Sequence, residues 1–314
     1  MPGDLTETSD PNLPVTPQKI RDAAAIIQPR LRRTPILEDE GIVYKLELLQ
    51  HSGTFKARGA THALTRALRE HRVGDGGVVA ASGGNHGAAV AWAARELGVP
   101  ANIFVPTISA PAKVARLRSY GATVHQIGAV YAESLEASTA FVAEHGGLSI
   151  HAYEDPLVVM GAGTCAMEME EEAGPLDVVF ISCGGGGLAA GSAAWLDGRS
   201  EIVICETDTT NAFAASVASG RRETVAVSGI AADALGASSI GELAWQILSA
   251  APTTPVLVSD EETIAARTWM WNRFRLVIEH SAAVAIAAMH SGRIDTSGRR
   301  IGVIVCGANT AIDL

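Results

Sequence analysis

The sequence predicts an α/β protein built as two lobes, each a parallel β-sheet with flanking helices. Three observations carry that expectation. Short apolar runs alternate with helical patterns between Val78 and His151, and such alternation makes β–α–β units whose strands lie parallel. Glycines cluster at 83–84 and 184–187, each time between an apolar run and a helical segment. The chain is 47% apolar but only 5% aromatic, with Ala and Gly supplying much of the total. That mixture suits helices packed tightly on a sheet and does not suit disorder.

The elements follow in order. Thr16-Pro17 reads as an N-cap and a first-turn proline. Ile20, Ala24, Ile27 and Leu31 recur at helical spacing, so a helix runs from 17 to about 30. A short strand is expected at Val43 to Leu46 and a helix at Phe55 to His71. Strands at Val78–Ala81, Ile103–Val105, Thr123–Ile127 and Leu148–His151 then alternate with helices at Asn85–Leu97, Pro111–Gly121 and Tyr131–His145. Gly98 and Gly146 close two of these helices. Asp155-Pro156 caps a helix that continues through the acidic stretch Glu168 to Glu172, its solvated face. Strands at Val178–Ile181, Ile202–Cys205 and Ile301–Val305, and helices at Glu261–Arg275 and Ser281–His290, complete the pattern.

The lobe division expected is 1–76 and 152–314 for the large lobe and 77–151 for the small one, a four-stranded parallel sheet. No internal repeat or low-complexity segment is visible. The last strand lies close to Leu314, leaving no room for an appended regulatory domain.

At 314 residues the chain can hold one large catalytic unit or two lobes of ordinary size. The formal net charge is -10, which repels phosphate backbones and anionic lipid, so nucleic-acid and membrane-surface partners are not expected. No apolar run approaches the roughly 20 residues that span a bilayer. The segment Met1 to Pro14 is polar and lacks the basic and apolar regions of a signal peptide. The cysteines, Cys165, Cys183, Cys205 and Cys306, are widely spaced with no Cys-x-x-Cys pair. Reduced thiols in the cytoplasm are the expectation, with no metal site.

Four loops carry candidate chemistry. The first is Ser52-Gly53-Thr54-Phe55-Lys56-Ala57-Arg58-Gly59-Ala60. Lys56 lies between an aromatic and small residues, where a poorly solvated ammonium gives way to a neutral, nucleophilic amine. A lone surface lysine is the competing reading. The second, Ala81-Ser82-Gly83-Gly84-Asn85-His86-Gly87, joins a strand to a helix. Its amides can bind a carboxylate or phosphate without a cationic side chain, unless the loop is simply a tight turn. The third, Ser182-Cys183-Gly184-Gly185-Gly186-Gly187-Leu188, is similar. Four successive glycines lose much backbone entropy, which close approach to a phosphate justifies. Yet Gly184, Gly186 and Ala189, with Glu206 after the next strand, also fit a dinucleotide fingerprint. The loop alone leaves phosphate and pyrophosphate open. The fourth, Val305-Cys306-Gly307-Ala308-Asn309, ends the last strand, where ligands of open α/β sheets sit; a small buried thiol is the alternative for Cys306.

Together, and in this order, the four loops resemble the threonine/serine dehydratase and serine racemase family of pyridoxal-phosphate enzymes, from about Thr16 onward. The resemblance implies a tryptophan-synthase-β-like fold (fold type II) with pyridoxal 5'-phosphate between the lobes. It implies that Lys56 holds the cofactor as a Schiff base and that Phe55 packs beside the ring. By the same resemblance Asn85 meets the ring hydroxyl, and Gly184, Gly185, Gly186, Gly187 and the Leu188 amide hold the phosphate. Cys306 faces the pyridine nitrogen, while Ser82 and the amides of Gly84, Asn85 and His86 hold the substrate carboxylate. A neutral thiol does not keep a proton on that nitrogen, so the ring is a weaker electron sink and elimination is favoured over transamination.

The activity implied is dehydration and deamination of a small β-hydroxy amino acid, L-threonine or L-serine, by a homodimer. Racemases of this family resemble Ser-Ser-Gly-Asn at the second loop; here Gly83 stands at the second serine and offers no second acid. Their divalent-metal pattern is matched by Glu206 but broken by Ala212, with Asp208 and the Thr210 carbonyl as weak substitutes. Ala162 stands where relatives often carry Gln, and the segment from Pro35 to Tyr44 is short. Serine racemisation, a nicotinamide-dependent oxidoreductase and a non-catalytic binding protein of the same fold are the rival expectations.

Overall fold

In the computed structural model the residues described are 13–310; most of the polar segment from Met1 to Pro14 lies outside them. The chain opens on α1 (Pro17–Ile27), where the Thr16 hydroxyl accepts from the Lys19 amide at 3.3 Å. The helix ends earlier than its periodicity predicts, and 28–30 form a turn. Strands β1 (Ile36–Asp39) and β2 (Ile42–Lys45) form an antiparallel hairpin, followed by α2 (Lys56–Arg69). Next come β3 (Val78–Ala81), α3 (Asn85–Leu97), β4 (Ala101–Val105), α4 (Pro111–Ser119), β5 (Thr123–Gln126), α5 (Tyr131–His145) and β6 (Leu148–Ser149). After them come α6 (Pro156–Ala173), β7 (Val178–Ser182), α7 (Gly187–Leu196), β8 (Glu201–Thr207), α8 (Ala212–Ser219), α9 (Ala232–Leu235) and α10 (Glu242–Ala250). The order closes with β9 (Thr253–Val258), α11 (Asp260–Phe274), α12 (His280–His290) and β10 (Ile301–Ile304).

Two sheets organise these elements. A six-stranded sheet has the order β1-β2-β10-β7-β8-β9, parallel except for β1. A four-stranded parallel sheet has the order β5-β4-β3-β6. The fold is thus α/β with two parallel-sheet units, as the strand–helix alternation predicts. Both edge strands of the larger sheet escape the sequence pattern. Strand β1 is half-exposed and carries two acids, and β9 contains Pro255, which only an edge strand tolerates.

Helix α6 packs between α2 and α7 and ties together the two loops that matter most. Glycine permits the close approach. A Cβ on Gly161 would sit 2.7 Å from the Arg58 carbonyl oxygen, and one on Gly191 2.4 Å from that of Val159. A buried ionic network fixes the same block. The Arg58 guanidinium, wholly buried, donates to Glu47 through Nε and Nη2, both at 2.7 Å, and to Glu168 at 2.9 and 2.7 Å. The buried ammonium of Lys45 adds a bond to Glu168 at 2.9 Å and one to the Thr34 carbonyl at 2.6 Å. Bidentate pairing on this scale is what lets a charge be buried without heavy penalty. Among the described residues no helix is long and apolar enough to cross a membrane.

Candidate active site

The lysine loop reaches its place through backbone geometry. Ser52 and Gly53 are both left-handed, with φ of 57° and 69°, and turn the chain sharply into α2. The loop after β10 then pairs with it. Thr54 bridges Gly307, the Phe55 amide donates to the Cys306 carbonyl at 3.1 Å, and the Ala308 amide donates to the Gly53 carbonyl at 2.9 Å. Residues 250 positions apart in sequence, Lys56 and Cys306, thereby line one chamber.

Lys56 Nζ donates to the Ala152 carbonyl at 3.0 Å and stands 5.2 Å from the Phe55 ring centre. Burial lowers its pKa to about 8, opposed by neighbouring Cys306 and Glu279. Desolvation favours the neutral amine, the form that attacks a carbonyl. Burial pushes the Cys306 thiol up, so it stays protonated at neutral pH.

The tetraglycine loop closes the chamber from the side of β7. Its last glycine begins α7, so successive amides converge at a helix N-terminus. Side chains have no room here. A Cβ on Gly185 would fall 2.4 Å from the Tyr153 ring, and one on Gly186, whose φ is 90°, would fall 2.6 Å from Ala244 and Ile240. Phe55, Lys56, Asn85, Gly184 to Leu188 and Cys306 all line this chamber.

Asn85 begins α3 and joins the chamber to an open cleft of about 570 Å³ between the sheets. Ser82, Gly84 and His86 line the cleft with Lys56. The Asn85 amide donates to both oxygens of Glu279, at 2.9 and 3.1 Å, while its own Oδ1 is buried and unpartnered among the described residues. The ring of buried His86 hydrogen-bonds the Ile150 carbonyl at 2.8 Å, and burial holds its pKa at about 3, so the imidazole is neutral.

Sequence reasoning misses Glu279, Tyr153 and the Ala152 carbonyl. Glu279 accepts from Asn85, from Ser281 Oγ at 2.7 Å and from the Asn309 amide at 3.2 Å, and burial raises its pKa. The available signal is an acid that follows apolar Leu276-Val277-Ile278 and precedes His280 and the small residues Ser281-Ala282-Ala283. Glu206 is occupied otherwise than a ribose-binding acid would be. Its oxygens accept from the Phe213 and Ala214 amides, each at 2.8 Å, capping α8. That removes the acid from the dinucleotide reading of the glycine loop. Among the described residues no group of three or more His, Cys, Asp or Glu is placed to hold a metal.

Fold and chamber define an α/β enzyme that takes up a small ligand with an anionic end and a lysine-reactive end. A family profile described as "Pyridoxal-phosphate dependent enzyme" matches residues 27–307, and the chain belongs to that family. It is 29% identical over 311 residues to an L-threonine ammonia-lyase of Thermotoga maritima, covering 96% of this chain and 77% of the relative. It is 34% identical over 298 residues to a phenylserine dehydratase of Ralstonia pickettii, covering 89% of each. The solved structure of maize serine racemase superposes with a TM-score of 0.89 at 28% identity, covering 95% of this chain and 94% of that one. The protein is therefore a pyridoxal-phosphate-dependent enzyme of the ammonia-lyase and racemase group, with a fold type II architecture. The residues present fit that cofactor: a cradle with no room for a Cβ at Gly184, Gly185 or Gly186, an amine with lowered pKa, and a buried, unpartnered oxygen on Asn85 lining the same chamber.

Proposed function

We propose that this enzyme dehydrates and deaminates L-threonine or L-serine to a 2-oxo acid and ammonia. The observation that carries the reading is that Lys56 lines both the chamber walled by the tetraglycine loop and the cleft walled by the 82–86 loop. When bound, pyridoxal phosphate supplies a carbonyl carbon for an amine to attack and a ring that accepts the electrons of a broken Cα bond.

In this reading the amides of 184–188 would hold the phosphate at the start of α7, and Lys56 would hold the cofactor's carbonyl carbon. The amides of Gly84, Asn85 and His86 orient the substrate carboxylate at the start of α3. Lys56 Nζ would serve as the general base that takes the substrate Cα proton. The Cα proton and the Cβ hydroxyl leave as one water, and the enamine left behind tautomerises to an imine that a second water hydrolyses to the 2-oxo acid and ammonia. Glu279 holds the Asn85 amide, and Cys306 presents a neutral thiol to the ring.

Dehydration is favoured over racemisation because Gly83 brings no side chain to the face opposite Lys56. A Cβ there would have ordinary space, 3.4 Å from Val105 and 3.7 Å from the Ser109 hydroxyl, yet none is present. We also propose that residues 77–151 close over the substrate as a unit and that the enzyme is a homodimer, which sedimentation tests. The deciding assay is 2-oxo acid release from L-threonine and L-serine with chiral analysis of the remaining amino acid. Release that Lys56→Ala abolishes is expected. Accumulation of D-serine without 2-oxo acid would refute the reading.

A further inference from the structure

We infer that the site selects β-hydroxy amino acids whose β-substituent is neutral and apolar, an aryl group included, over those bearing a second carboxylate. This rests on the dehydratase reading and specifies its substrate. The cleft beside Lys56 has two ends. One is the amide-rich loop that takes the α-carboxylate in that reading. The other is an apolar rim on the smaller sheet, where Ile108 is 80% and Tyr131 57% exposed.

The two loops that carry them are tied together. The Thr107 amide and hydroxyl both donate to the Gly128 carbonyl, at 2.8 and 2.9 Å, holding the loop after β4 against the segment before α5. Ile127 and Val130 in that segment and Leu135 within α5 are exposed too, so five of the nine exposed large hydrophobic residues among those described fall between 108 and 135. Single exposed apolar side chains mean little, but Ile108 and Tyr131 both line the cleft, and an apolar rim on a ligand cleft bears on what it receives. The larger sheet contributes the facing wall, alanine-rich with Ala232, Ala234 and Ala237.

The charges point the same way. Apart from Lys56, the one charged cation among the described lining residues is Lys113, and its ammonium already pairs with Asp233 across the cleft mouth. Arg116, one turn further along α4, is taken up by the Ser52 carbonyl and Asn309. A second substrate carboxylate would meet the like charge of Asp233, and recruiting Lys113 would only exchange one ion pair for another. An alkyl or aryl group meets no such opposition.

The test compares kcat/KM of the holoenzyme for L-threonine, L-threo-phenylserine and L-threo-3-hydroxyaspartate. Phenylserine is expected to exceed hydroxyaspartate by at least about tenfold. Combining Ile108→Ala with Tyr131→Ala should lower the phenylserine-to-threonine ratio about tenfold, chiefly through KM. Asp233→Asn should free Lys113 and raise turnover of hydroxyaspartate. Wild-type preference for hydroxyaspartate, an unmoved ratio in the double variant, or no gain from Asp233→Asn overturns the inference while dehydration stands. No turnover of any of the three removes the dehydration reading and this one with it.

Discussion

Lys56 illustrates how much one residue's surroundings decide. In water its amine would be protonated until pH 10.5, whereas burial lowers the pKa to about 8. The neutral fraction therefore rises with pH through about 8 and is small below 7. Capture of pyridoxal phosphate by cofactor-stripped protein should accelerate with pH to a midpoint near 8, read from the growth of the visible absorption band. A midpoint close to that of free lysine would show that the amine is solvated. The lysine itself is legible in the sequence because its neighbours Phe55 and Ala57 are apolar. Glu279 is not, because its importance arises only when α12 meets Asn85, 194 positions away. Arg58 is a third case. The motif makes it visible, but only the fold reveals that Glu47 and Glu168 surround it. Arg58→Ala would leave two buried acids short of their partner and should destabilise the protein by about 3–5 kcal/mol, measured by urea unfolding. Arg58→Lys should recover little, since an ammonium does not reproduce the planar fork.

At the scale of elements, the legible parts are those whose cause is local. The strand–glycine–helix junctions at 81–87 and 182–188 announce themselves, since both the turn and the helix start are written in adjacent residues. The edge strands β1 and β9 do not, because pairing with a neighbour rather than alternation of their own side chains makes them strands. Helix packing is equally hidden. Nothing in the isolated stretch Met160-Gly161-Ala162-Gly163 says that α6 will touch α2 on one side and α7 on the other. The consequence can be measured. A Cβ on Gly161 meets the Arg58 carbonyl oxygen at 2.7 Å and Gly59 Cα at 2.8 Å, both backbone atoms that cannot swing aside. Gly161→Ala should therefore lower stability by about 1–3 kcal/mol in urea unfolding. Because α2 begins at Lys56, the same change should also weaken cofactor retention. An unchanged dissociation constant for pyridoxal phosphate would show that the lysine turn is held independently of α6.

For the whole molecule the question is how the two sheets keep a chamber between them while leaving a cleft open. The answer lies in where the sheets touch. On the side of the lysine loop, His51 stacks on Trp92 of α3 with ring centres 4.4 Å apart and planes 10° apart. Beside it, Arg116 of α4 reaches across to the Ser52 carbonyl and to Asn309. One turn back along α4, Lys113 adds an exposed pair with Asp233, which water weakens. The smaller sheet is thus held to the larger through an aromatic stack, the Arg116 bonds and the Asn85–Glu279 contact, with the weakest tie at the exposed Lys113–Asp233 pair. Arg116 is a polar part of that anchor, and its loss leaves the Ser52 carbonyl without a charged donor. Arg116→Met preserves length and apolar packing but removes both bonds, worth about 1.5–3 kcal/mol each as charge-assisted contacts. Amide hydrogen exchange should then accelerate at least about tenfold in α4 and in residues 51–55, while β7 and β8, deep in the larger sheet, keep their protection. Equal acceleration everywhere would mean that Arg116 supports the fold as a whole; none at all would mean that the aromatic stack alone carries the anchor.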